Sequence, residues 1–382
     1  MRGRGGLAAI CCAVMFLFAL YLGGVSVLLP FLGKTFGLGP EVEGRLFPAD
    51  FGGFVVGVVV CGYLSDRWGR KAVLLLGLSG YALGLALFGK APTFNLALLA
   101  AALFGAGSGA METVASALAS DLYPGRRAFM INAIQVAFGV GAAIGPTLAY
   151  RLLAIGTNWR MLYLGLALAN VLLCVALALQ SVPRSAHGPE ALNFRTLLAV
   201  LKRPAFGALC LAQGLYVGAE TGFFLWMPTY FQARLPGGAA WAGLVVTVFW
   251  LAMTVGRVTT GALVERMPLL RLAQWLAWCG ALCSTLALIG STPAWVMLCV
   301  ALTGLFFSGI YGVVLAETGA RFPTVAGTAF GGVVALGGLG GAALPWAIGA
   351  LAATPLDWRG ALALVPLSMA LLALIAPWLK RS

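Results

Sequence analysis

Residues 62–71 read GYLSDRWGRK and place Asp66, Arg67, Arg70 and Lys71 within ten positions of a chain that is only 9% charged. The 14 residues before Ser65 (51–64) and the 18 after Lys71 (72–89) carry no charge. Each flanking run is close to the ~20 apolar residues that a helix needs to cross a bilayer. The stretch therefore reads as a tight charged turn between two membrane helices.

The rest of the chain repeats that arrangement. It has 382 residues, 61% of them hydrophobic, with mean hydropathy +0.99. A soluble domain carries about 45–50% apolar and about 25% charged residues. The composition predicts an all-α membrane protein. Apolar runs predict twelve spans at 7–30, 46–65, 72–90, 95–121, 128–152, 160–182, 205–231, 241–264, 270–290, 295–320, 327–352 and 360–379. The opening run is too long for a secretory signal and lacks a cleavage pattern, so it reads as the first span. Pro183, Gly188 and Pro189 mark 183–204 as a linker between six-helix bundles at 1–182 and 205–382.

The net charge of +13 fits cytoplasmic loops rather than nucleic acid. With the N-terminus inside, 17 of the 24 basic residues fall on the cytoplasmic side, the asymmetry expected of a protein with both termini in the cytoplasm. The eight cysteines lie in apolar runs without metal-ligand spacing and read as small core residues. The single histidine, His187, lies in the linker, and no nucleophile–base pair can be inferred, so an enzyme is not expected.

A shift of 199 residues superimposes landmarks of the two halves. Gly57 meets Gly256, Gly105 meets Gly304, Pro124 meets Pro323, Pro146 meets Pro345, and Trp159–Arg160 meets Trp358–Arg359. Asp66–Arg67 meets Glu265–Arg266, which keeps the charges. Two parallel six-helix repeats are the plan of one large class of secondary transporters, with the solute site between the repeats near mid-membrane.

GYLSDRWGRK resembles the loop signature of the major facilitator superfamily, G-x-L-x-D-R-x-G-R-K, at every fixed position and between helices two and three. GALVERM (261–267) is its degenerate copy between helices eight and nine. The resemblance implies the major facilitator fold, alternating access, no cofactor and a monomer in the cytoplasmic membrane. It also implies a cytoplasmic latch formed by Gly62, Asp66, Arg67, Gly69 and Arg70, with Asp121, Glu265, Arg266 and Glu317. Arg70 is expected within reach of Asp121, and Glu317 four residues before Arg321 has helix-pair spacing.

Charge inside a membrane costs about 2.5–3.5 kcal/mol on insertion scales and is functional by default. Glu112 lies mid-span in GAGSGAMETVAS and Glu220 mid-span in GLYVGAETGFF. A carboxyl shielded from water exchanges protons nearer neutrality, as proton coupling requires, and it can also hold a sugar hydroxyl or a cation. No basic residue matches their depth, Arg257 lying toward the cytoplasmic end of its span. Asp50, at the head of the second span, is expected to be solvated. Asn132, Gln135, Gln213, Tyr216, Trp226, Tyr230, Trp250 and Tyr311 supply the amides and aromatics of a mixed solute site. Trp275 and Trp278 are expected to face lipid.

METVASALASDLYP, INAIQVAFGVGAAIGP and LYVGAETGFFLWMPTYF are similar to the fucose permease branch of sugar–proton symporters. That resemblance implies roles for Glu112 and Asn132, a small-molecule sugar substrate and the proton as coupling ion. The acid typical of helix one in that branch is absent, Tyr21 and Ser26 being the most polar residues there. Gly141-x-x-x-Gly145-Pro146 resembles the antiporter signature of drug exporters, so proton-driven efflux of lipophilic or cationic compounds is the alternative.

Overall fold

The computed structural model of the chain describes residues 2–122, 127–181, 202–264, 266–322 and 326–379. They form α1 (Arg2–Phe36), α2 (Pro40–Glu43), α3 (Leu46–Trp68), α4 (Arg70–Lys90), α5 (Phe94–Leu122), α6 (Arg127–Ala154) and α7 (Arg160–Ala178). The second half has α8 (Pro204–Arg234), α9 (Ala242–Val264), α10 (Leu269–Ile289), α11 (Pro293–Phe307), α12 (Ile310–Arg321), α13 (Ala326–Ala352), α14 (Asp357–Leu362) and α15 (Leu364–Leu379). Twelve membrane-length apolar stretches follow from these helices among the described residues. They match the expected spans closely. The tenth joins α11 to α12 and the twelfth joins α14 to α15.

The helices group into two units. Described residues 2–25 and 49–181 make up the first, 26–48 and 202–379 the second. The C-terminal end of α1, the short α2 and the head of α3 thus pack with the later helices, α2 lying on α13. Most of the linker, 183–201, lies outside the described residues.

Helices inside a membrane gain little from burying apolar surface and instead approach closely through small residues. In the first unit, Gly53 and Gly57 of α3 abut the Ala102 and Ala106 carbonyls of α5, and Gly105 and Gly109 of α5 abut the Asp50 and Phe54 carbonyls in return. Gly141 and Gly145 of α6 lie against the Phe16 and Leu20 carbonyls of α1. The second unit uses the same device: Gly256 meets the Leu305 carbonyl, Gly304 the Phe249 carbonyl, and Gly340 the Gly214 carbonyl. A Cβ at any of these positions would collide with backbone. Outward faces carry Leu83, Leu168, Val258 and Leu374, each more than half exposed, and so do Trp275 and, to a lesser degree, Trp278.

The charged stretch 62–71 spans a tight turn between two helices. α3 ends at Trp68 and α4 starts at Arg70. Gly69 between them has φ +87°, a left-handed conformation that other residues adopt only with strain.

Candidate functional site

Around that turn, the Arg70 guanidinium donates from Nε to Asp121 Oδ2 at 3.4 Å and from Nη1 to Ser65 Oγ. Lys71 donates to the Ala178 and Gln180 carbonyls at 2.7 and 2.6 Å, capping the end of α7 with a cation where the helix dipole is negative. That role of Lys71 was not read from the sequence, because its partners lie over 100 residues away. Gly62 is half-buried within α3, Arg67 lies exposed over the Tyr63 ring, and Arg266 is exposed. Glu317 pairs with Arg321 at 2.6 Å along α12, as its spacing implies. The side chains of Asp66 and Asn132 and the whole of Glu265 lie outside what the structure describes.

In the second unit, Tyr216 and Glu220 stand one turn apart on α8 and share a side-chain hydrogen bond, the phenol donating to the carboxylate. Arg257 of α9 lies in electrostatic range of both. The expectation that an internal ion pair is not obvious is thus modified: a basic group does act on Glu220, through its charge. Tyr311 of α12 completes the group, its ring 6.5 Å from that of Tyr216. Gln213, one turn earlier on α8, is fully buried with neither amide atom hydrogen-bonded. Carboxylate, guanidinium, two phenols and an amide thus converge from three helices.

The neighbouring aromatics have structural partners. Trp226 Nε1 donates to the Pro345 carbonyl at 2.8 Å, and Tyr230 donates to the Leu288 carbonyl at 3.1 Å. Trp250 packs against Phe224 and Phe249 at centroid distances of 5.3 and 5.9 Å.

In the first unit, Glu112 and Gln135 are half-buried on α5 and α6. Asp50 corrects the sequence reading. It is buried, and Tyr21 of α1 donates a hydrogen bond to its Oδ2 at 2.9 Å. Tyr21 in turn touches Phe104, Tyr163 and Tyr81, with centroids at 4.9, 5.9 and 6.4 Å. An acid beside Pro48 at the head of a span reads as a surface residue. Only the fold brings Tyr81 of α4 and Tyr163 of α7 against Tyr21 and into electrostatic range of the acid. The Gly141–Pro146 signature serves helix packing, since Gly141, Gly145 and Pro146 seat α6 on α1.

A family model described as Major Facilitator Superfamily matches residues 11–331. The probable 4-methylmuconolactone transporter of Cupriavidus pinatubonensis is 29% identical over 271 residues, 66% of this chain and 62% of that protein. Multidrug resistance protein 3 of Bacillus subtilis is 36% identical over 95 residues, 25% of this chain and 19% of that protein. The chain thus spans less than two thirds of the length of these curated relatives. Among solved structures, the Escherichia coli fucose:proton symporter superposes with TM-score 0.70 at 20% identity, covering 98% of both chains. That likeness is one of fold.

Proposed function

Because the chain belongs to the Major Facilitator Superfamily, a family of transporters and not of enzymes, we propose that it carries a small oxygen-rich solute by alternating access, coupled to protons. A monosaccharide is the first candidate. The observation that carries this reading is the group Tyr216, Glu220, Arg257 and Tyr311 in the second unit. A polyhydroxyl solute needs donors and acceptors at fixed positions. A carboxylate accepts, a guanidinium donates, and each phenol does both. The buried amide of Gln213, without a hydrogen-bond partner, is available to the same solute.

Efflux of cationic compounds is the second reading, favoured by the similarity to the multidrug resistance protein. A cation would require the charge of Glu220 for itself, but Arg257 already shares it. The site therefore suits a neutral or carboxylate-bearing solute better. The likeness in fold to a fucose:proton symporter and the relative named for a lactone agree with that preference.

Proton coupling rests on the carboxyls placed within spans: Asp50, Glu112 and Glu220. The Arg70–Asp121 pair joins the start of α4 to the end of α5 and is read as part of a cytoplasmic latch that opens and closes in the cycle. The proposal places both termini in the cytoplasm and takes the monomer as the working unit.

The test is reconstitution in liposomes containing a pH-sensitive dye. Fucose and other monosaccharides, small organic acids and cationic drugs are added one at a time. Acidification on adding a sugar or an organic acid supports the reading. A response confined to the drugs under an imposed pH gradient replaces it with efflux.

A further inference from the structure

We propose that Asp50, caged by Tyr21, Tyr81 and Tyr163, is the carboxyl that takes up and releases the coupled proton. This rests on the proton-coupled reading above and assigns the proton to the first unit, away from the Tyr216–Glu220 group.

The geometry is that of a buried acid held by one phenol, with two more buried phenols in electrostatic range. Asp50 is 8% exposed, and Tyr21, Tyr81 and Tyr163 are each 2% exposed or less. The titratable groups around it come from three elements: Tyr21 on α1 bonds it, and Tyr81 on α4 and Tyr163 on α7 pack on Tyr21 within electrostatic range of it. From α5, Gly105 closes the backbone side, its Cα against the Asp50 carbonyl, and Phe104 covers Tyr21. Among the described residues no lysine or arginine forms an ion pair with Asp50. Arg160 at the head of α7 is committed elsewhere, donating to the Gly89 and Ala91 carbonyls.

An ionised carboxyl sealed from water is costly unless a cation pairs with it. A structural carboxylate would thus be expected to have a cation in electrostatic range, as Glu220 has Arg257. Asp50 instead has hydroxyls, and the hydroxyls of Tyr81 and Tyr163 are buried with no hydrogen-bond partner. Leaving two buried phenols unsatisfied costs about 1–3 kcal/mol each, which calls for a use.

A phenol can donate or accept. With Asp50 ionised, the Tyr21 hydroxyl donates to its Oδ2. With Asp50 protonated, its own O–H donates to a phenol oxygen. The Tyr21 hydroxyl therefore serves both protonation states without moving a charged side chain. The step is a proton transfer alone: water delivers a proton to an Asp50 oxygen when the site opens, and water removes it when the site opens to the other side.

The test is infrared spectroscopy of the purified, lipid-reconstituted protein, titrated from acid to alkaline pH without solute. The probe is the proton itself, read through the carbonyl stretch of a protonated carboxylic acid. The expected result is a titrating band that Asp50→Asn removes and Glu220→Gln leaves in place. A band that survives Asp50→Asn overturns the proposal. Should Asp50→Asn fail to fold, Tyr163→Phe removes one unsatisfied hydroxyl and keeps the ring. The band midpoint then moves by about one pH unit; an unmoved midpoint overturns the assignment. Because no solute is present, a failure of the carrier reading leaves the band intact. A failure of the Asp50 assignment leaves solute-driven acidification intact.

Discussion

The two units share one backbone plan and differ in the chemistry hung on it. At the offset of 199, Gly57 against the Ala106 carbonyl becomes Gly256 against that of Leu305, and Gly105 against the Asp50 carbonyl becomes Gly304 against that of Phe249. The helix crossings are the same. The side chain at the second crossing is not: an acid in one unit, an aromatic ring in the other. Its cage changes with it, Tyr81 corresponding to Gly280 and Tyr163 to Leu362. The Phe307 ring lies over Gly280 and packs against Phe249. Conversely, Glu112 corresponds to Tyr311 and Val58 to Arg257. At that position an acid in one repeat is a phenol in the other, and Arg257 lies in electrostatic range of Glu220 in the second unit. Close backbone approach constrains both units alike, whereas the polar groups are free to diverge. That divergence is what allows one unit to hold a proton and the other a solute.

If the shared plan is real, Gly105→Val and Gly304→Val should do equal damage. Each forces a side chain into a carbonyl of the partner helix, and each is expected to cost about 3 kcal/mol. Thermal unfolding in detergent reads this directly, and tolerance at one site alone would break the equivalence. Removing the cation tests the difference instead. Arg257→Gln is expected to weaken solute binding about tenfold, or about 1.4 kcal/mol, measured as a rise in the half-saturating solute concentration. An unchanged value would detach Arg257 from the site.

Smaller effects sharpen the picture. Tyr81→Phe deletes a hydroxyl with no hydrogen-bond partner, so stability should change by less than about 1 kcal/mol, while the pH profile of flux moves. A lowered melting temperature with an unmoved profile would make the cage structural. Smallest of all, Glu317→Gln removes an i,i+4 pair expected to contribute about 0.3–0.5 kcal/mol. A large loss of turnover there would show that the pair belongs to the latch.

Much of this was legible in the sequence. Charged turns between oily runs give the spans, and glycines, prolines and Trp–Arg corners at one offset give the repeat. Glu317–Arg321 follows from helical spacing, and Arg70–Asp121 from the loop signature. What was hidden depends on distance along the chain or on side-chain reach. Asp50 meets Tyr21 across 29 residues, and nothing local distinguishes a caged acid from a solvated one. Arg257 was placed by its position along the span, which does not show how far the charge of its side chain acts. Tyr81 and Tyr163 sit in ordinary apolar runs, and only helix packing turns them toward the acid.

The central claim is that Asp50 handles the proton and the Glu220 group the solute. The most direct measurement compares Asp50→Asn with wild type in proteoliposomes, using a sugar or organic acid that acidifies the wild-type lumen. Both solute counterflow and solute-driven acidification are followed. The account predicts that Asp50→Asn retains counterflow and loses acidification, while Glu220→Gln loses both. Acidification at the wild-type rate in Asp50→Asn would contradict it.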